Sequence, residues 1–109
     1  MRFRDFIQET HNAIEFNQPH ILIKDAIAVE NPKNPAIVSV IVEKTPLIPV
    51  DLIDGVGGTK FKRVNVTYVA CNISDKTLYI PLKTFKERAI KGGIKEFNQH
   101  FLNSLKDED

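Results

Sequence analysis

Apolar and polar residues alternate in short runs through most of this chain, and only its two ends repeat them at helical spacing. Phe3, Phe6, Ile7, Ala13 and Ile14 recur three and four residues apart among Arg4, Asp5, Gln8, Glu9 and Glu15, the pattern of a helix with one apolar face. The spacing predicts a helix over 2–16. Asn17-Gln18-Pro19 ends it, because proline lacks an N–H and biases the preceding residue toward extended geometry.

From His20 to Glu30 the odd positions Ile21, Ile23, Ile27 and Val29 predict one face of a strand, with Asp25 breaking the set at a bulge. Asn31-Pro32-Lys33-Asn34-Pro35 reads as a turn. Ala36 to Lys44 carries Val38, Val40 and Val42 on one face and Ile37 and Ile41 on the other, which predicts a central or covered strand. Pro46 and Pro49 cannot donate to a ladder, so a strand over Thr45 to Asp54 is expected at an edge. Asp54-Gly55-Val56-Gly57-Gly58-Thr59 is expected to be a flexible loop.

Lys60 to Asn72 alternates clearly, with Val64, Val66, Tyr68 and Ala70 on one face and Phe61, Arg63, Asn65 and Thr67 on the other. Lys76 to Thr84 alternates likewise, with Leu78, Ile80 and Leu82 against Tyr79, Pro81 and Lys83. Placing both apolar sets on one side calls for Tyr68 opposite Ile80, a three-residue connection Ile73-Ser74-Asp75, Lys83 facing Asn65 and Tyr79 facing Val69. Thr84 and Glu87 stand at capping-box spacing and predict a helix start. Gly92-Gly93 should kink that helix, after which Ile94, Phe97, Phe101 and Leu105 resume its apolar stripe.

These elements predict a single α+β domain over 1–109. It holds about five antiparallel strands, in a curved sheet or small OB-like barrel, with one amphipathic helix at each terminus. The N-terminal helix is assigned to 1–17, the sheet to 20–83, the C-terminal helix to 85–105 and an acidic end to 106–109. The OB-like label is analogy, from strand count and the long loops after the second and third strands. A half-open sheet completed by dimerisation through Phe97, Phe101 and Leu105 is the competing architecture.

Composition adds little to the fold and more to the chemistry. With 109 residues, 42% of them apolar, the chain can bury an ordinary core without disulfides or metal. Its single cysteine, Cys71, forms no internal disulfide and favours a reducing compartment, so a cytoplasmic location is expected. Charge in the N-terminal residues argues against a signal peptide, and no apolar run is long enough for a membrane span. The net charge of +1 conceals segregation: residues 60–95 carry nine basic side chains against two acidic ones, while the flanking parts are acidic.

Candidate chemistry is sparse. The glycine-rich stretch before Lys60 lacks P-loop spacing and precedes a strand. His11, His20 and His100 fall on separate elements, so no metal site is expected, and His20 reads as a surface turn residue. Cys71 reads as a small buried hydrophobe. Asp51 and Asp54 read as turn formers. No cofactor and no enzymatic activity are expected.

The basic stretch points to binding. Aromatic and basic residues on one hairpin face suit a single strand of DNA or RNA, since bases stack on rings and cations hold phosphates. The expected contacts are Lys60, Lys62, Arg63 and Lys83 with phosphates, Phe61 and Tyr79 with bases, and Thr67 on the same face. The expected function is therefore a non-catalytic, low-specificity accessory factor for single-stranded nucleic acid. The alternative is a protein adaptor or inhibitor that binds a partner through an exposed sheet edge, or through the acidic C-terminus. A homodimer is compatible with either, and no membrane partner is expected.

Overall fold

The computed structural model describes residues 14–58 and 61–107, with side chains as far as Leu105. Within them the chain forms β1 (His20–Leu22), β2 (Ala26–Val29), β3 (Val38–Ile41), β4 (Pro46–Gly58), β5 (Arg63–Ile73) and β6 (Lys76–Pro81). Helix α1 (Leu82–Arg88), strand β7 (Ala89–Lys91) and helix α2 (Ile94–Asp107) follow. The strands make one antiparallel sheet in the order β3-β2-β6-β5-β4-β1-β7.

This corrects the expected architecture. The described residues form seven strands rather than about five, and their sheet is open, with β3 and β7 as its two edges, so it is neither an OB-like barrel nor strongly curved. Both described helices lie near the C-terminus instead of one at each end. Most of the helix expected over 2–16 lies outside the described residues, and Ile14 to Pro19 is irregular chain with a turn. The run from His20 to Glu30 is two strands, because Ile23 to Asp25 carries the chain from one part of the sheet to another. Asp25 is the anchor of that crossing: its Oδ1 accepts the Glu43 N–H at 2.8 Å and its carbonyl accepts Arg88 Nη1.

The prolines and glycines between 46 and 58 act differently from their composition. β4 is an interior strand, paired with β5 along one side and with β1 at its start. Pro46 and Pro49 fit because β1 covers only the first residues of β4 and the ladder to β5 shifts register between Pro49 and Asp51, a bulge that absorbs the missing donor. Of the expected loop at 54–59, the described residues 54–58 are the end of this strand, with Gly55, Gly57 and Gly58 opposite Val66, Val64 and Arg63.

β5 and β6 form the expected hairpin in a register one residue from that expected. Ile73 pairs with Lys76 around a two-residue turn in which Ser74 has φ 57°, so Val69 faces Ile80, Ala70 faces Tyr79 and Tyr68 faces Pro81. One residue of slip exchanges the faces. Val69, Cys71, Leu78 and Ile80 enter the main core, while Tyr68 and Ala70 are buried on the opposite side of the sheet. With both faces covered at 68–71, no polar positions remain there to mark the register.

The core lies on one face of the sheet under α1, where Phe85 packs among Leu22, Ala28, Leu47, Val69 and Ile80. α1 begins before Thr84, with Pro81 at its N-cap and no side-chain cap bond, so the capping box at Thr84 does not form. Lys86 and Arg88 stand in its last turn, where cations complement the helix dipole. The kinked helix expected over 85–105 is two helices, because Ala89 turns extended and β7 pairs with β1. Gly92, at φ +116°, sits in a region open to glycine and strained for other residues, and separates β7 from α2.

Candidate functional site

The expected nucleic-acid contacts do not form one surface. Lys60 lies outside the described residues. Phe61 and Lys62 form the bend between β4 and β5, and Arg63 opens β5 opposite Gly58. All three are exposed, Phe61 at 93%, which is uncommon for so apolar a side chain. Thr67 lies further along, opposite Asp54.

Residues of alternate parity lie on opposite sides of a sheet. Arg63, Asn65 and Thr67 therefore share a face with Val69, whereas Tyr79, opposite Ala70, projects from the other face. Lys83 belongs to α1 and does not face Asn65. The Tyr79 correction follows from the one-residue register change, and the Lys83 correction from the end of β6 at Pro81 and the start of α1 at Leu82. The structure brings together Phe61, Lys62 and Arg63 at the hairpin tip, and separates Tyr79 and Lys83 from them.

Beside Thr67 is a cleft of about 380 Å³ that also receives Lys33, Asp54 and Asn65. Lys33, Asp54 and Asn65 are exposed and Thr67 is half-buried. Among the described residues no buried side-chain polar atom lacks a hydrogen-bond partner, so nothing in the cleft is held ready for a ligand at the cost of desolvation. Asp51 and Asp54, three positions apart on β4, point to opposite sides of the sheet and cannot act as an acid–base pair. His20 is buried rather than a surface turn residue: Nδ1 is 2.8 Å from the Gln18 carbonyl and the ring lies 5.4 Å from that of Phe85. Burial pushes the Cys71 thiol up to about 12, which keeps it protonated and unreactive at neutral pH. No cluster of metal-ligating residues occurs among the described residues, and none of their helices is long and apolar enough to cross a membrane.

A different surface is presented by the β2–β3 edge. Residues 36–44, expected to be central or covered, hold the outermost strand of the sheet. The Glu30 N–H donates to the Ile37 carbonyl at 3.4 Å, and Ser39 and Ile41 face Ala28 and Ala26. Antiparallel pairs alternate between bonded and non-bonded positions, so the main-chain groups of Ile37, Ser39 and Ile41 turn toward β2. Those of Val38 and Val40 turn to the open edge. Their side chains share a face with Ile27, and all three are more than half exposed, Val40 at 65%.

Sequence reasoning missed this edge because apolar residues on both faces are equally consistent with a central strand. The identity of the neighbouring strands decides, and that is a property of the topology. No family model matches the chain, and comparison with curated proteins and with solved structures finds none similar to it.

Proposed function

We propose that this chain is a non-catalytic protein-binding module that takes an extended segment of a partner protein as an added strand along β3. The observation that carries the reading is the outward direction of the Val38 and Val40 main-chain groups beside exposed β-branched side chains. Strand addition draws affinity from main-chain hydrogen bonds and specificity from alternate side chains. Sheet edges are ordinarily guarded by lysine, proline, a bulge or a covering element. β3 contains no lysine or proline, and among the described residues no further strand pairs with it. The ligand class is a segment with β-branched or aromatic residues at every second position, laid against Ile27, Val38 and Val40.

Selection of displayed random nonapeptides against the full chain tests this reading. Enrichment of an alternating apolar consensus is expected, with a purified peptide losing roughly tenfold or more in affinity for Val40→Pro, which removes one donor and bends the edge. No enrichment, or equal binding to the proline variant, overturns it.

A second reading, low-specificity binding of single-stranded nucleic acid, keeps support from the tip alone, where exposed Phe61, Lys62 and Arg63 stand together. A ring for stacking beside cations for phosphate is the minimal arrangement for that task. Anisotropy of a labelled oligonucleotide should then fall steeply in affinity as salt rises. Lys62→Ala with Arg63→Ala should flatten that dependence, whereas Phe61→Ala should lower affinity with the slope kept. Absence of binding at low salt removes this reading and leaves the edge reading standing.

A further inference from the structure

We infer that the outer half of the β4–β5 hairpin is a two-stranded ribbon that enters the major groove of double-stranded DNA and reads base edges with Arg63, Asn65 and Thr67. The inference rests on the nucleic-acid reading of the hairpin tip and narrows its ligand to a duplex. β6 pairs with β5 only from Tyr68 onward, and β1 pairs with β4 only at Pro46 and Leu47. Among the described residues, Asp54 to Gly58 and Arg63 to Thr67 therefore pair with each other alone. The turn at Asn31–Pro35 holds this ribbon at its base, where the Val56 N–H donates to the Pro32 carbonyl at 2.8 Å.

The major groove of B-form DNA, about 12 Å wide, admits a two-stranded ribbon. Alternate side chains of a strand share a face about 6.8 Å apart, so Arg63, Asn65 and Thr67 form a row of about 14 Å, the length of roughly four base pairs at 3.4 Å each. Arg63 and Asn65 are exposed and Thr67 is half-buried. Each has a partner on a base edge: guanine O6 and N7 for the guanidinium, adenine N6 and N7 for the carboxamide, and the thymine methyl for the threonine methyl. Lys62 at the tip, and Lys33 across the cleft beside Thr67, flank the row with positive charge for phosphates. Asp54, opposite Thr67, is the acidic side chain of the ribbon; it repels phosphate and accepts from a cytosine amino group, so it serves choice of sequence rather than affinity.

The same geometry favours a duplex over a single strand. Single strands are held by rings spaced along a basic groove. Here Phe61 stands at the tip and Tyr79 projects from the opposite face of the sheet, so successive bases meet no line of rings, whereas the polar row is continuous. The deep, narrow major groove of an RNA duplex shuts such a ribbon out.

Selection of random-sequence DNA duplexes by the full chain, followed by anisotropy with labelled DNA, tests the inference. The expected result is a motif of about four base pairs containing guanine and adenine, bound more tightly than its separated strands or the same sequence as an RNA duplex. Arg63→Ala should lower affinity for that motif by about tenfold or more and erase the preference at the guanine, and Asn65→Ala should do the same at the adenine. Lys62→Ala should weaken binding to every duplex alike and flatten its salt dependence by about one phosphate contact. Val40→Pro at the β3 edge should leave binding intact. Tight binding of single strands with weak binding of duplexes overturns the inference and leaves the nucleic-acid reading of the tip standing. Duplex binding indifferent to sequence and to Asn65→Ala overturns it as well, and reduces the hairpin to phosphate contact. No binding of either form at low salt overturns the inference together with the nucleic-acid reading.

Discussion

Gly55 is where one atom decides how two parts of the chain meet. A Cβ there would stand 2.3 Å from the Pro32 carbonyl oxygen and 2.8 Å from the Tyr68 ring, well inside van der Waals contact. The same place is closed by two hydrogen bonds: the Val56 N–H donates to the Pro32 carbonyl at 2.8 Å, and the Tyr68 hydroxyl donates to the Val56 carbonyl at 2.6 Å. Burial raises the Tyr68 phenol above its ordinary range, which keeps it a donor. Gly55→Ala should therefore lower stability by about 1–3 kcal/mol, because the turn at Asn31–Pro35 must lift off the hairpin. Gly93→Ala, with nothing within 4 Å of its added carbon, should cost less, about 1 kcal/mol at most, from the preference for glycine over alanine at the N-cap of α2. Urea unfolding of the two variants side by side checks the contrast. Composition marks Gly55, Gly57 and Gly58 as a loop; the reason for a glycine at position 55 is a contact from a distant turn, which no local reading contains.

At the level of elements, α1 shows how little helix is needed to close a sheet. Its seven residues bury Phe85 in the main core and leave Lys83, Lys86, Glu87 and Arg88 in water. The Ile23 N–H donates to the Arg88 carbonyl at 2.8 Å, so the helix end also holds the crossing from β1 to β2. Phe85→Ala should cost about 3–5 kcal/mol, a large part of the ~5–15 kcal/mol that stabilises an ordinary domain. A fall of that size in the thermal or urea transition is the expected readout, and a change under 1 kcal/mol would contradict the placement of Phe85 in the core. The β5–β6 hairpin was readable from alternation, and so was a helix entering at its far end. The register was not, because Tyr68, Val69, Ala70 and Cys71 are all buried and the turn of Ser74 and Asp75 is one residue shorter than the pattern suggests.

At the scale of the whole molecule, the two exposed apolar surfaces among the described residues stand at opposite ends of the sheet. β2 and β1 are four strand spacings apart in the sheet order, about 19 Å at ~4.8 Å per spacing. Changes at Val40 and at Phe101 should for that reason act independently on stability, as distant sites do. By itself the sequence determined the antiparallel strands, the turns at Asn31–Pro35 and after Ile73, the burial of Cys71 and the amphipathic character of residues 94–105, because spacing, turn chemistry and apolar content are local. Tertiary structure alone decided that residues 20–30 divide between distant places in the sheet, that β4 runs inside it and that β3 runs at its rim. It also decided that Tyr79 and Lys83 part from Arg63. Each of those outcomes depends on which strand lies alongside, and pairing between segments far apart in the chain leaves no mark on the composition of either.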